Sequence, residues 1–362
     1  MSMHLFPRPE LLELRIAPAS VLQFTDVDGD LVKIISSVGD LTGKGTFVAV
    51  GAGEQLQALD LTDPAFQNAV ITTSVTKKPG GDGLVNIGYI GALGRDLNSV
   101  TVKGDLGRID AGDADTATPA LGKLTARSIG LLGTATQDAG NTFSTFDGAL
   151  GALVVQRDIS KATISVTGSI GPVTVGGSII GGDFLNLGRV QVTGDIGLVK
   201  IGGDLVGGTG GGSATVSASG AIAGVTIRGS VFGGSLGVSG GITGMAGIAF
   251  VRIGGDLRGG DGDGSGFMVS GADAALVQIG GSLLGGAGEE SGRIAFPLPG
   301  TTIAALKVGG DIRAGEGDGS GTIATRGAIR ALTVGGSVIG GTANNSTLLG
   351  NGQSPRSKVS AR

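Results

Sequence analysis

Three glycine-rich strings hold the residues best suited to chemistry: GGDGDGSG from Gly259, GGAGEESG from Gly285 and AGEGDGSG from Ala314. Aligning the strings puts Asp263, Glu289 and Asp318 in one column, with Asp261 and Glu316 flanking it. If the strings stack as neighbouring strands, the column brings like charges to within about 5 Å of each other. That is unfavourable unless the carboxylates are solvated, protonated or bridged by a cation. Calcium suits such a column, because it gathers oxygens from carboxylates and backbone carbonyls. The competing expectation is a solvated acidic rim that keeps a glycine-rich turn soluble. A second acidic loop, Asp26-Val27-Asp28-Gly29-Asp30, has the Asp spacing of a calcium loop but no distal Glu. A plain turn between strands is the expectation there.

Other chemistries are poorly supplied. The 362 residues include no Cys and one His, His4, so thiolate zinc sites, disulfides and a histidine-based triad are not expected. Phosphate-loop patterns occur by chance among 75 glycines, but Gly43-Lys44-Gly45 lacks the closing Ser or Thr. Paired carboxylates could serve glycoside hydrolysis. Sugar sites usually offer aromatic platforms, however, and this chain has no Trp and one Tyr, Tyr89. A net charge of −4 without basic runs argues against nucleic acid. No run of 18 apolar residues suggests a membrane span.

The elements that position these residues are repeats. The unit is apolar-x-apolar-x-Gly-(Asp/Ser)-apolar, as in VTVGGSIIGG at Val173, VKIGGDLVGG at Val199 and VRIGGDLRGG at Val251. Copies starting at Val173, Val199, Val225, Val251, Val277, Leu306 and Leu332 keep a 26-residue step, broken once by a three-residue insertion near Pro297–Thr301. Less regular copies begin at Val100 and Leu153. A fixed period of this size means a solenoid, propeller or array. Apolar alternation over three to five residues argues strands, and a propeller blade needs a longer unit. The reading is an all-β parallel β-solenoid of about 26 residues per coil, with three short strands and three turns per coil. By analogy it is a right-handed β-helix. The aliphatic pairs Val199/Ile201, Val225/Ile227, Val251/Ile253, Val277/Ile279 and Leu306/Val308 should stack inward in a lumen without room for aromatics.

Two polar columns accompany the ladder. One alternates Ser178, Asp204, Ser230, Asp256, Ser282, Asp311, Ser337, and each of its Asp coils also carries a base: Lys200, Arg252 or Lys307. This spacing keeps like charges two coils apart, near 10 Å, and avoids stacking them. The other is Ser213, Ser239, Ser265, Ser291, Ser320, Ser346, read as a structural hydroxyl ladder at a turn.

The chain divides into a head over 1–20, a β cap over 21–90, the array over 91–350 and a tail over 351–362 without apolar periodicity. In the cap, Leu31–Ile35, Thr46–Val50 and Ala69–Val75 read as strands. The head shows no signal-peptide apolar region. The three acidic strings resemble the GGxGxD calcium repeats, with the Asp one place off. The head, Phe6-Pro-Arg-Pro-Glu-Leu-Leu-Glu-Leu-Arg-Ile-Ala-Pro18, resembles the LEPRxLL motif of large bacterial surface proteins through Pro7, Arg8, Leu11, Leu12 and Arg15. Phe6 stands where that motif has Glu, and Pro9 is extra. Gly94–Gly112 is similar to the β-strand repeats of those proteins. The resemblance implies an exported or cell-surface β-repeat protein and no catalytic residue. The functional expectation is therefore an extracellular structural or adhesive scaffold that meets a surface or matrix component. A calcium-binding surface protein and a polysaccharide-active β-helix are the alternatives.

Overall fold

The computed structural model describes residues 20–115, 117–138, 140–341 and 349–350. The LEPRxLL-like head, His4, Ser346 and the tail lie outside the described residues.

Short strands with glycine at their ends stack in parallel, coil upon coil, into a β-solenoid of about ten turns. The ladder takes the register read from the sequence: Val173 pairs with Val199, then Val225, Val251, Val277, Leu306 and Leu332. The inward members from Val173 to Leu306 are at most 1% exposed. Burying such columns of aliphatic side chains supplies the main driving force, at roughly 25 cal/mol per Å².

A coil adds a fourth, very short side to the three strands read from the sequence; in two coils it runs straight into the first face as one strand, Ile196–Ile201 and Ala221–Ile227. After the Val/Ile face comes a two-residue strand, with Ile179, Leu205, Val231, Leu257 and Leu283 stacked and buried. A glycine-rich corner loop leads to the third face, represented by Val190, Val216, Ile242, Met268 and Ile294. A fourth, very short side carries Ile170, Ile196, Ile222 and Ile248. Its single apolar residue per coil is too brief to show a period-two pattern.

The lumen does admit aromatics. Phe146 and Phe296 are fully buried on the third face. Each sits against smaller residues in its own column: Phe146 between Ala111 and Val166, and Phe296 beside Thr325, so small neighbours make the room. Close packing of this kind needs complementary volumes, not uniform ones.

The cap contains β1 (Ser20–Thr25), β2 (Leu31–Ser36), β3 (Gly45–Val50), β4 (Gly53–Asp60) and β5 (Ala69–Thr76). Antiparallel pairing links β1 to β2, β2 to β5, and β3 to β4. Parallel stacking starts inside this region. Strand β4 pairs with β6 (Ile87–Leu93), and β5 pairs with β7 (Leu97–Gly112). The half-cap is thus also the first rung. Strand β8 (Pro119–Ile129) supplies a coil through Leu124, which pairs with both Val100 and Leu153. That copy, LTARSIG, lacks the glycine of the repeat and was not recognisable by pattern.

Candidate functional site

The corner loop holds the acidic column. Within each coil the loop is braced by its serine, whose Oγ accepts the N–H five residues earlier: Gly208 for Ser213, Gly234 for Ser239, Gly260 for Ser265, Gly286 for Ser291 and Gly315 for Ser320, at 2.9–3.0 Å. These serines are at most 1% exposed. The hydroxyls thus bond backbone inside their own coil rather than one another.

Stacking brings Asp263, Glu289 and Asp318 into one column, as read from the sequence. Gly264 N–H donates to Glu289 O at 2.6 Å, and Glu290 N–H to Asp318 O at 2.7 Å. The Asp263 carboxylate accepts the Glu289 N–H at 2.9 Å. One of its oxygens therefore holds the next coil. Asp261, Asp263, Glu289, Glu316 and Asp318 are all exposed. Among the described residues, this column does not gather three carboxylate oxygens within 4.8 Å of one another. Glu290, missed by the sequence reading, is taken up by an ion pair with Arg293. The backbone beside the column is left-handed at Gly212, Val238, Gly264, Glu290 and Gly319, with φ between 51° and 65°.

The Asp/Ser column proves to be an inter-coil hydrogen-bond ladder. Each side chain accepts the backbone N–H of the equivalent residue one coil on: Ser178 from Asp204 at 3.0 Å, Asp204 from Ser230 at 2.7 Å, Ser230 from Asp256 at 3.0 Å and Asp256 from Ser282 at 2.7 Å. Ser282 and Asp311 continue it. Both residue types supply the acceptor, and alternating them halves the charge density.

The Asp26–Asp30 loop is a turn joining β1 to β2, as expected, but its carboxylates converge. Asp26, Asp28 and Asp30 place one oxygen each within 4.8 Å of the others. Asp26 Oδ1 accepts the Asp30 N–H at 2.8 Å, and Asp30 clasps the backbone of Lys78 and Gly83. Burial, then the hydrogen bond to Asp28, push Asp26 up to about 6. The same bond holds Asp28 below the ordinary carboxylate range. Asp30 is thereby a tether between the cap turn and residues 78–83, a role not visible in its spacing.

An open groove of about 1200 Å³ runs along the coils beside the corner. It is lined by glycine pairs such as Gly233–Gly234 and Gly259–Gly260, together with Phe232, Arg258, Leu284, Arg313, Asp261 and Glu316. A Cβ on Gly259 would lie 2.6 Å from the Gly292 N, so this position is glycine because adjacent coils touch there. Tyr89 is not an open platform: the Arg108 guanidinium covers its ring at 4.0 Å from the centroid, and Arg108 lies 3.8 Å from Asp110.

No family model, curated protein or solved structure matches this chain.

Proposed function

We propose that this chain is an extracellular or cell-surface structural module, a rigid β-solenoid that acts as a spacer or adhesive face without catalysing a reaction. One observation carries the reading. The polar residues that recur along the array are committed to holding coils together, as in the Asp/Ser ladder from Ser178 to Ser337. A reactive group needs one positioned copy, whereas these residues serve every coil alike. The head's resemblance to surface-protein motifs supports an exported location. A surface or matrix component is the proposed partner, and the exposed corner with its groove is the face offered to it.

Limited proteolysis of intact cells that make the protein tests this. Release of its fragments from unbroken cells is the expected result. Protection until the cells are lysed would contradict the surface reading. The calcium alternative has the register of Asp263, Glu289 and Asp318 in its favour. It predicts a calcium-dependent melting temperature.

A further inference from the structure

We propose that copies of this chain associate head to tail, cap against last coil, into an extending rod. The inference rests on the scaffold reading and concerns what the two ends of the solenoid offer.

Among the described residues, both ends present strands paired on one side only. At the cap, among the described residues, β1 pairs only with β2, and β3 only with β4. At the other end, among the described residues, Leu332–Val334 and Val338–Ile339 each pair on one side only. Such edges are templates for further strands and are usually blunted by charge, proline or a bulge. Here β1 reads SVLQFT, β3 reads GTFVAV and the last strands read LTV and VI, with no charge and no proline. Each end is also apolar where its neighbours are covered. Val21, Val48 and Val50 on the cap are 40–50% exposed, and Val338 is 40% exposed although its equivalent Ile312 is fully buried.

Direction and face select the partner end. The ladder runs from β1 through β2, β5, β7 and β8 to Leu153, Val173 and on to Leu332. Hence β1 and Leu332–Val334 terminate the same face. Strand β1 is antiparallel to β2, and β2 is antiparallel to β5, which is parallel to the array. Two reversals leave β1 running in the direction of Leu332–Val334. A second copy placed on the same axis would continue that sheet in parallel register.

Charge selects the same arrangement. Residues 20–63 carry seven carboxylates against two lysines, whereas residues 322–341 carry Arg326 and Arg330 and no carboxylate. Asp40 sits at the start of β1, bonded to Ser20 Oγ at 3.1 Å. Arg330 precedes Leu332 by two residues, at the start of the opposing edge. Parallel docking brings these two together, whereas tail-to-tail docking would oppose two basic ends. A head-to-tail contact does not close on itself, so it extends.

Sedimentation velocity on the purified full chain, at rising concentration in low salt, is the test. The expected result is a mass that passes two copies and keeps growing. Val48→Lys on the cap and Val338→Lys on the last coil should each weaken association about tenfold or more while leaving the circular-dichroism melt unchanged, since both sites are exposed in the single chain. Asp40→Lys and Arg330→Glu should each weaken it, and the double variant should recover. A single-chain mass at every concentration would overturn the proposal, as would a dimer that stops at two and ignores Val48→Lys. Either outcome leaves the surface reading untouched, because protease shaving of cells reports on location alone.

Discussion

Replacing Ser282 with Asp separates the two duties of the Asp/Ser ladder. Ser282 accepts the Asp311 N–H at 3.0 Å, and its own N–H donates to Asp256 at 2.7 Å. Asp fills the same place in four other coils, at Asp158, Asp204, Asp256 and Asp311, so the variant keeps both hydrogen bonds. What it adds is charge one coil, about 4.8 Å, from both Asp256 and Asp311. Each new pair is worth about 1 kcal/mol in a water-like dielectric and about 3.5 kcal/mol at an effective value of 20. The column is half-buried, so the two pairs together should cost roughly 2–5 kcal/mol at low salt. Thermal melting followed by circular dichroism should fall by roughly 4–10 °C. Much of the loss should return in 1 M NaCl, where the screening length is about 3 Å. Adding Gln278→Lys, which supplies the base that accompanies Asp204, Asp256 and Asp311, should restore part of it at low salt. Ser282→Ala is the contrast: it strands the Asp311 N–H and should cost about 1–3 kcal/mol independently of salt. A Ser282→Asp melt equal to wild type at low salt, or equally depressed in high salt, would refute the electrostatic reason for the alternation.

Ile253→Asp buries an unpaired charge at a 1% exposed position and should abolish the cooperative melt, a loss of more than about 4 kcal/mol. Val238 is β-branched and exposed at φ 58°, in a column where Gly212, Gly264 and Gly319 also occur, so Val238→Gly should raise the melting temperature by the equivalent of about 1 kcal/mol. Asp26, raised to about 6, binds its proton more tightly folded than unfolded, so its stabilising contribution is present below pH 4 and is lost as pH rises towards 6. Asp26→Asn should accordingly melt higher than wild type at pH 7.5, and the difference should shrink as the pH falls towards 4.

Much of the array was legible in the sequence because stacking repeats every inward residue at a fixed step. Val199, Val225 and Val251 could be placed with no structural information, and so could Ser213 to Ser320. The strands of the cap were legible for another reason, since stretches such as Leu31–Ile35 are rich in β-forming residues and bounded by turn signals such as Asp28–Gly29. What escaped had no period to betray it. The fourth side contributes one apolar residue per coil, the Leu124 copy lacks its glycine, and Phe146 enters the lumen where its column neighbours are the smaller Ala111 and Val166. The acidic column was located correctly in register, yet spacing alone could not say where its oxygens point. Three-dimensional convergence appears instead at Asp26, Asp28 and Asp30, where a tight turn rather than a repeat draws the carboxylates in.

The account holds that the corner carboxylates Asp263, Glu289 and Asp318 are a solvated rim on a self-supporting scaffold. Thermal melting of the wild type and of the Asp263→Ala/Asp318→Ala variant, each with calcium and with a chelator, addresses this directly. The scaffold account predicts that neither protein's melt depends on calcium. A wild-type melt that rises with calcium, while the variant's does not, would show by mass action that the corner binds the ion and would contradict it.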